Sequence, residues 1–212
     1  MRRLLSVLLG VALLVPLQGL GAQAENRRER YSTAWINVFW HSRQKVDGDT
    51  YRLITWYAGA YDSGEEYGFW SDLYRSVSEC EKRDGRDKCR YLRKLSYYGD
   101  TREGTFTIDR KLSTSHLAAT YKLHRWVHGE REFVGKYSVS TDALGTGKLA
   151  HGRSSYTYHE GCVFYSYSGN WVSRQGTATG TLTRAGEDSR DLGETDDTWM
   201  GRSDNVDFGH DC

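Results

Sequence analysis

Seven histidines and 28 acidic residues in a chain of 212 invite a search for a metal site or a general base. His124 and His128 are spaced HxxxH, which on a helix would aim both imidazoles at one zinc ion, but the glutamate of that motif is missing. The flanking residues alternate with a period of two, so the stretch reads as a strand, where the pair stands about 13 Å apart. One ion cannot bridge that distance, and the two are expected on a polar strand face. His159 beside Glu160 places a base next to a carboxylate at a turn, but no GxSxG nucleophile accompanies them. Asp204, Asp207 and Asp211 carry oxygen ligands that suit calcium, without the EF-hand spacing. Residues 143–148 (ALGTGK) lack the GxxxxGK[ST] phosphate-loop spacing and read as a glycine-rich turn. No catalytic residue, metal or cofactor is assigned.

The four cysteines have a plainer chemistry. Cys80, Cys89, Cys162 and Cys212 lack the CxxC spacing of a zinc site. In an exported chain they are expected as disulfides. Three pairings are possible, and Cys80–Cys89 with Cys162–Cys212 is favoured because the first would staple a turn at Asp84-Gly85.

The strongest functional signal is aromatic. Seven Trp and fifteen Tyr exceed what one core face needs, and both types enrich binding surfaces because they combine apolar area with a polar handle. Trp40, Trp56, Tyr67, Phe69 and Trp70 are the candidate surface. The competing reading is that these rings fill the core.

The elements that would position them are strands. In residues 115–127 the odd positions Leu117, Ala119, Tyr121, Leu123 and Val127 are apolar, and the even ones mainly polar. Beyond Gly129 the odd positions Phe133, Tyr137 and Val139 are apolar again. A three-residue loop at 128–130 would pair Tyr121 with Tyr137 and keep one continuous apolar face, so an odd-length loop is expected. Residues 31–41 and 51–61 are apolar on both faces and form a first hairpin turning at 46–49. Tyr67, Trp70, Tyr74 and Val77 fall at helical spacing and predict a short helix, or an aromatic-rich segment, covering that hairpin. Further strands are expected at 90–98, 104–111, 152–159, 162–171 and 176–184. The fold class is all-β: an antiparallel sandwich, or an up-and-down barrel, of about nine strands.

Residues 1–24 have a basic start, an apolar run and a small-residue end at Ala22-Gln23-Ala24, the pattern of a secretory signal peptide. The expected mature chain holds one β domain over 25–185 and an acidic segment over 186–212, tied back by a disulfide. Without Arg2 and Arg3 its net charge moves from +1 to −1, which supports no nucleic-acid or acidic-lipid partner. No later stretch is apolar enough for a helical membrane span. The expected product is a secreted protein, extracellular or periplasmic. Its expected role is a non-catalytic binding module for a glycan or a protein. The alternatives are an extracellular hydrolase whose histidines and carboxylates meet only in the fold, and a structural envelope protein.

Overall fold

The computed structural model describes residues 26–64, 68–160 and 163–210. The described residues form ten strands: β1 (Asn26–Asp47), β2 (Thr50–Asp62), β3 (Phe69–Arg83), β4 (Arg86–Tyr91), β5 (Tyr97–Thr101), β6 (Gly104–Ile108), β7 (Thr114–Val127), β8 (Glu130–Glu160), β9 (Val163–Arg184) and β10 (Arg190–His210). All pairings are antiparallel in one sheet, so the all-β reading holds. The sheet closes on itself. β1 pairs β2, β2 pairs β3, β3 pairs β5, β5 meets β7, and β7 to β10 follow in order, with β10 returning to β1. Of the two architectures the sequence allows, this closed circuit is the up-and-down barrel, with eight strands in the ring. The seam between β5 and β7 is its narrowest ladder, a single pair at Tyr98↔His124, after which β6 takes over the edge of β7.

Alternation decides what fills the barrel. Ile36, Val38 and Trp40 of β1, Trp56, Ala58 and Ala60 of β2, and Leu117, Tyr121 and Leu123 of β7 all point inward and are buried. Eight strands leave an interior about wide enough for side chains alone. Small residues make room for large ones: a Cβ on Gly180 would come within 2.6 Å of the Trp40 ring. The Ser71 hydroxyl donates to the Gly59 carbonyl at 2.6 Å and therefore accepts from Tyr121, also at 2.6 Å. That bond satisfies the one polar atom of a fully buried tyrosine.

Outside, β7 to β9 present Thr120, Lys122, Ser138, Thr179 and Thr181 to solvent. A lipid-embedded barrel has the reverse polarity, apolar outside and polar within. No helix among the described residues is long and apolar enough to cross a membrane.

Four strands outrun the ring. β2 stops where Asp62 pairs with Ala34, and β7 where Thr114 pairs with Leu144. Beyond those levels β8, β9, β10 and β1 continue side by side as a four-stranded blade, out to Asn26↔His210.

Several expectations are corrected. The helical stripe of Trp70, Tyr74 and Val77 lies on β3, a strand paired along its length with β2. Both faces of β3 carry apolar groups, Leu73 and Val77 inside and Trp70 and Tyr74 outside, which mimics a helical spacing. The acidic segment is no tail, because β10 lies in the ring between β1 and β9. Its Thr198 and Met200 are fully buried, while Asp196 and Asp197 occupy a bulge. Residues 143–148 are not a turn but a bulge in β8, and the strands expected at 162–171 and 176–184 are one continuous strand, β9. Residues 90–98 split into the end of β4, a 3₁₀ turn at Arg93–Leu95 and the start of β5. The signal peptide, Tyr67, Asp211 and the cysteines Cys162 and Cys212 lie outside the described residues.

The central hairpin keeps its predicted pairing by another route. Its loop has two residues, His128 and Gly129, both at positive φ (49° and 89°), with Val127 opposite Glu130. That is the turn whose twist matches the strands. A bulge at Val134, between Leu123↔Gly135 and His124↔Phe133, then restores Tyr121↔Tyr137. Phe133, expected inside, is consequently turned out and 56% exposed.

Candidate functional site

The predicted surface divides. Trp40 and Trp56 are 4% and 6% exposed, inside the barrel, and so cannot receive a ligand on the surface. Phe69 packs against the core from the rim. Of the described candidates, Trp70 alone stands on the outer face, its ring 5.8 Å from that of Tyr61.

Around Trp70 the register assembles an aromatic face that sequence reasoning missed. Phe39 of β1 is opposite Tyr57 of β2, Tyr57 opposite Tyr74 of β3, Tyr74 opposite Tyr98 of β5, and Tyr98 opposite His124 of β7. The Phe39 and Tyr57 rings lie 4.8 Å apart, and those of Tyr57 and Tyr74 5.6 Å apart. Tyr98 stacks on Trp126 at 6.3 Å, under the guanidinium of Arg131 at 5.4 Å. Four residues along each strand runs a second row, Trp35, Tyr61 and Trp70. The first row crosses five strands, so period-two patterning within one strand could not display it.

Between the rows lies a line of different chemistry: Asn37, Gly59, Asp72 and Asp100, paired across β1, β2, β3 and β5. Tyr57 folds over Gly59, where a Cβ would sit 2.0 Å from its hydroxyl. From there it donates to Asn37 Oδ1 at 2.6 Å, and Tyr61 reaches the same oxygen at 3.4 Å. Asp72 is 7% exposed and faces Asp100 directly. Burial, with the Asp100 charge adding to it, pushes the Asp72 carboxyl up to about 7. Burial likewise raises Tyr57 and Tyr61, and the nearby Asp72 carboxylate contributes to both.

No protein-family model and no curated protein matches the chain.

The other sequence candidates do not converge. His124 stands in the aromatic row, 5.6 Å from the Phe133 ring, and burial and Arg131 lower its pKa. Asp204 and Asp207 alternate along β10 and so point to opposite faces of the blade, the first bonded to Ser32 and the second to Tyr165. Tyrosines abound on the blade too, and two of them have engaged hydroxyls: Tyr165 donates to Asp207 at 2.8 Å and Tyr167 to Asn205 at 2.7 Å. Trp35 at the end of the ring and Trp171 of the blade lie over Gly201 and Gly152, filling the gaps those glycines leave. Shallow surface depressions of about 450 and 370 Å³ are lined chiefly by polar side chains such as Thr120, Ser138, His116 and Asp142.

One further constellation was invisible in the sequence. His41 Nδ1 lies 2.9 Å from Thr55 Oγ1, and its Nε2 lies 3.1 Å from Asp197 Oδ2. The β10 bulge delivers Asp197 to this position.

Proposed function

We propose that the protein is an exported, non-catalytic binding module that holds a glycan or protein ligand on the aromatic outer face of β1, β2, β3 and β5. The observation that carries this reading is the surplus. The core is already filled by Trp40, Trp56, Tyr121 and Tyr137, yet Phe39, Tyr57, Tyr74 and Tyr98 are gathered in register on the outside. A contiguous outer patch of rings is the surface on which soluble proteins meet ligands. Export is supported by the pattern of residues 1–24 and by the Cys80–Cys89 disulfide. The test is a glycan array, together with a panel of extracellular proteins, probed with the wild type and with Trp70→Ser plus Tyr74→Ser. Loss of a specific signal in the variant, with its thermal unfolding unchanged, supports the reading. A signal indifferent to the substitutions, or no signal at all, overturns it.

The Thr55–His41–Asp197 chain favours a second reading, the extracellular hydrolase. A hydroxyl, an imidazole and a carboxylate in line are the parts of a nucleophilic site. Against it, the His41 and Asp197 side chains are 46% and 45% exposed on the convex outer wall, where water competes for each bond. Ester or glycoside hydrolysis abolished by His41→Ala would establish the enzyme instead.

A further inference from the structure

The line between the aromatic rows contains an electrostatic problem. Asp72 and Asp100 are directly opposed on neighbouring strands, a geometry that brings Cβ atoms to about 5 Å and makes like charges repel. Asp72 is more than nine-tenths buried. Its carboxylate oxygens are not among the fully enclosed unpartnered atoms, so they keep a narrow opening to solvent, and no described side chain is seen to pair with them. A buried carboxylate in a native protein is ordinarily bonded, paired or bound to a cation. The cationic groups of β7, Lys122 and His124, lie on the far side of β5 from Asp72.

What surrounds the pair selects the missing partner. Tyr61 and Trp70 stand on one side along the strands, and Tyr74 and Tyr98 on the other. Aromatic faces attract positive charge through their quadrupole, most strongly where water is excluded. They offer nothing to calcium or magnesium, which require six or more oxygens. A neutral sugar could stack on the rings but would leave the buried Asp72 carboxylate without a counter-charge.

We propose that Asp72 and Asp100, framed by Tyr61, Trp70, Tyr74 and Tyr98, receive an organic cation, an alkylammonium or guanidinium group. Its charge sits against the carboxylates and its carbon faces lie on the rings. The inference rests on the proposed role of the aromatic face and gives that face a ligand chemistry. Two sources carry this group: a lysine or arginine side chain, and a small quaternary amine.

The test is calorimetric titration of the mature protein with tetramethylammonium, choline, N-acetyl-lysine amide and N-acetyl-arginine amide. The neutral isostere of choline, 3,3-dimethylbutan-1-ol, and calcium chloride serve as controls. At least one organic cation should bind, and Asp72→Asn and Asp100→Asn should each weaken it by about tenfold or more. Preference for the two amino-acid amides assigns the group to a polypeptide, and preference for choline or tetramethylammonium assigns it to a small amine. Equal binding of the neutral isostere, binding unchanged in both aspartate variants, displacement by calcium, or silence from every cation overturns the proposal. A glycan or protein signal that needs Trp70 and Tyr74 but ignores both aspartates would end this inference while leaving the broader function standing.

Discussion

Asp72 is an acid whose folded environment favours the neutral form. Its carboxyl is raised from 3.8 to about 7, first by burial and then by Asp100, and Tyr57 and Tyr61 flank it on β2. Below about pH 4 the folded and unfolded chains both carry the proton. Between there and about pH 7 only the folded chain keeps it, so stability contributed by this residue falls as pH rises through that window and is level above it. Asp72→Asn removes the titration. The variant should be more stable than the wild type at pH 8, by on the order of 1–2 kcal/mol after allowance for partial solvation. That advantage should vanish by about pH 4. Urea unfolding at the two pH values checks it, and a variant less stable at pH 8 would show that the carboxylate is compensated within the fold.

The hairpin of β7 and β8 divides what sequence discloses from what it conceals. Alternation placed Leu123 inside, where it is fully buried. Leu123→Asp should therefore destabilise by several kcal/mol, whereas Lys122→Asp and Phe133→Ser should each stay within about 0.5 kcal/mol. Denaturant midpoints decide it, and a large effect of Phe133→Ser would mean that the bulge is misplaced. Alternation could not give Phe133 its side, because the extra residue at Val134 puts residues 130–133 in the opposite phase to those from Gly135 onward. β10 escaped notice for a related reason. Its six acids are spread over the ring, the bulge and the blade, and the inward Thr198 and Met200 are too few to outweigh them in a window of composition. The candidate site was still less legible: Trp70 carried a signal, but Tyr74, Tyr98 and Asp72 meet only through pairing across separate strands.

At the scale of the whole molecule, covalent links sit on an already closed ring. Cys80–Cys89 ties β3 to β4, which lies outside the circuit. Its removal should loosen that hairpin and leave the barrel folded. Cys162 and Cys212 stand two residues beyond Phe164 and His210, which pair at the end of the blade. Their linkage is expected, and non-reducing peptide mapping should recover it. Recovery of Cys89–Cys162 or Cys80–Cys212 would refute that pairing. Because β10 is held on both sides by β1 and β9, reduction should not release residues 190–210 to proteases. Rapid proteolytic loss of that strand on reduction would contradict its place in the ring.

The neighbourhood of β1 and β10 also bears on when the chain can fold. The first described strand lies beside the last, so the ring cannot close until residues 190–210 have been synthesised. Pairing across nearly the whole chain is a slow, non-local step. A nascent chain without β10 leaves β1 and β9 as open edges that invite foreign strands. Until its last strand arrives such a polypeptide keeps unpaired edges and apolar surface exposed, the state in which a chain is most open to misassociation.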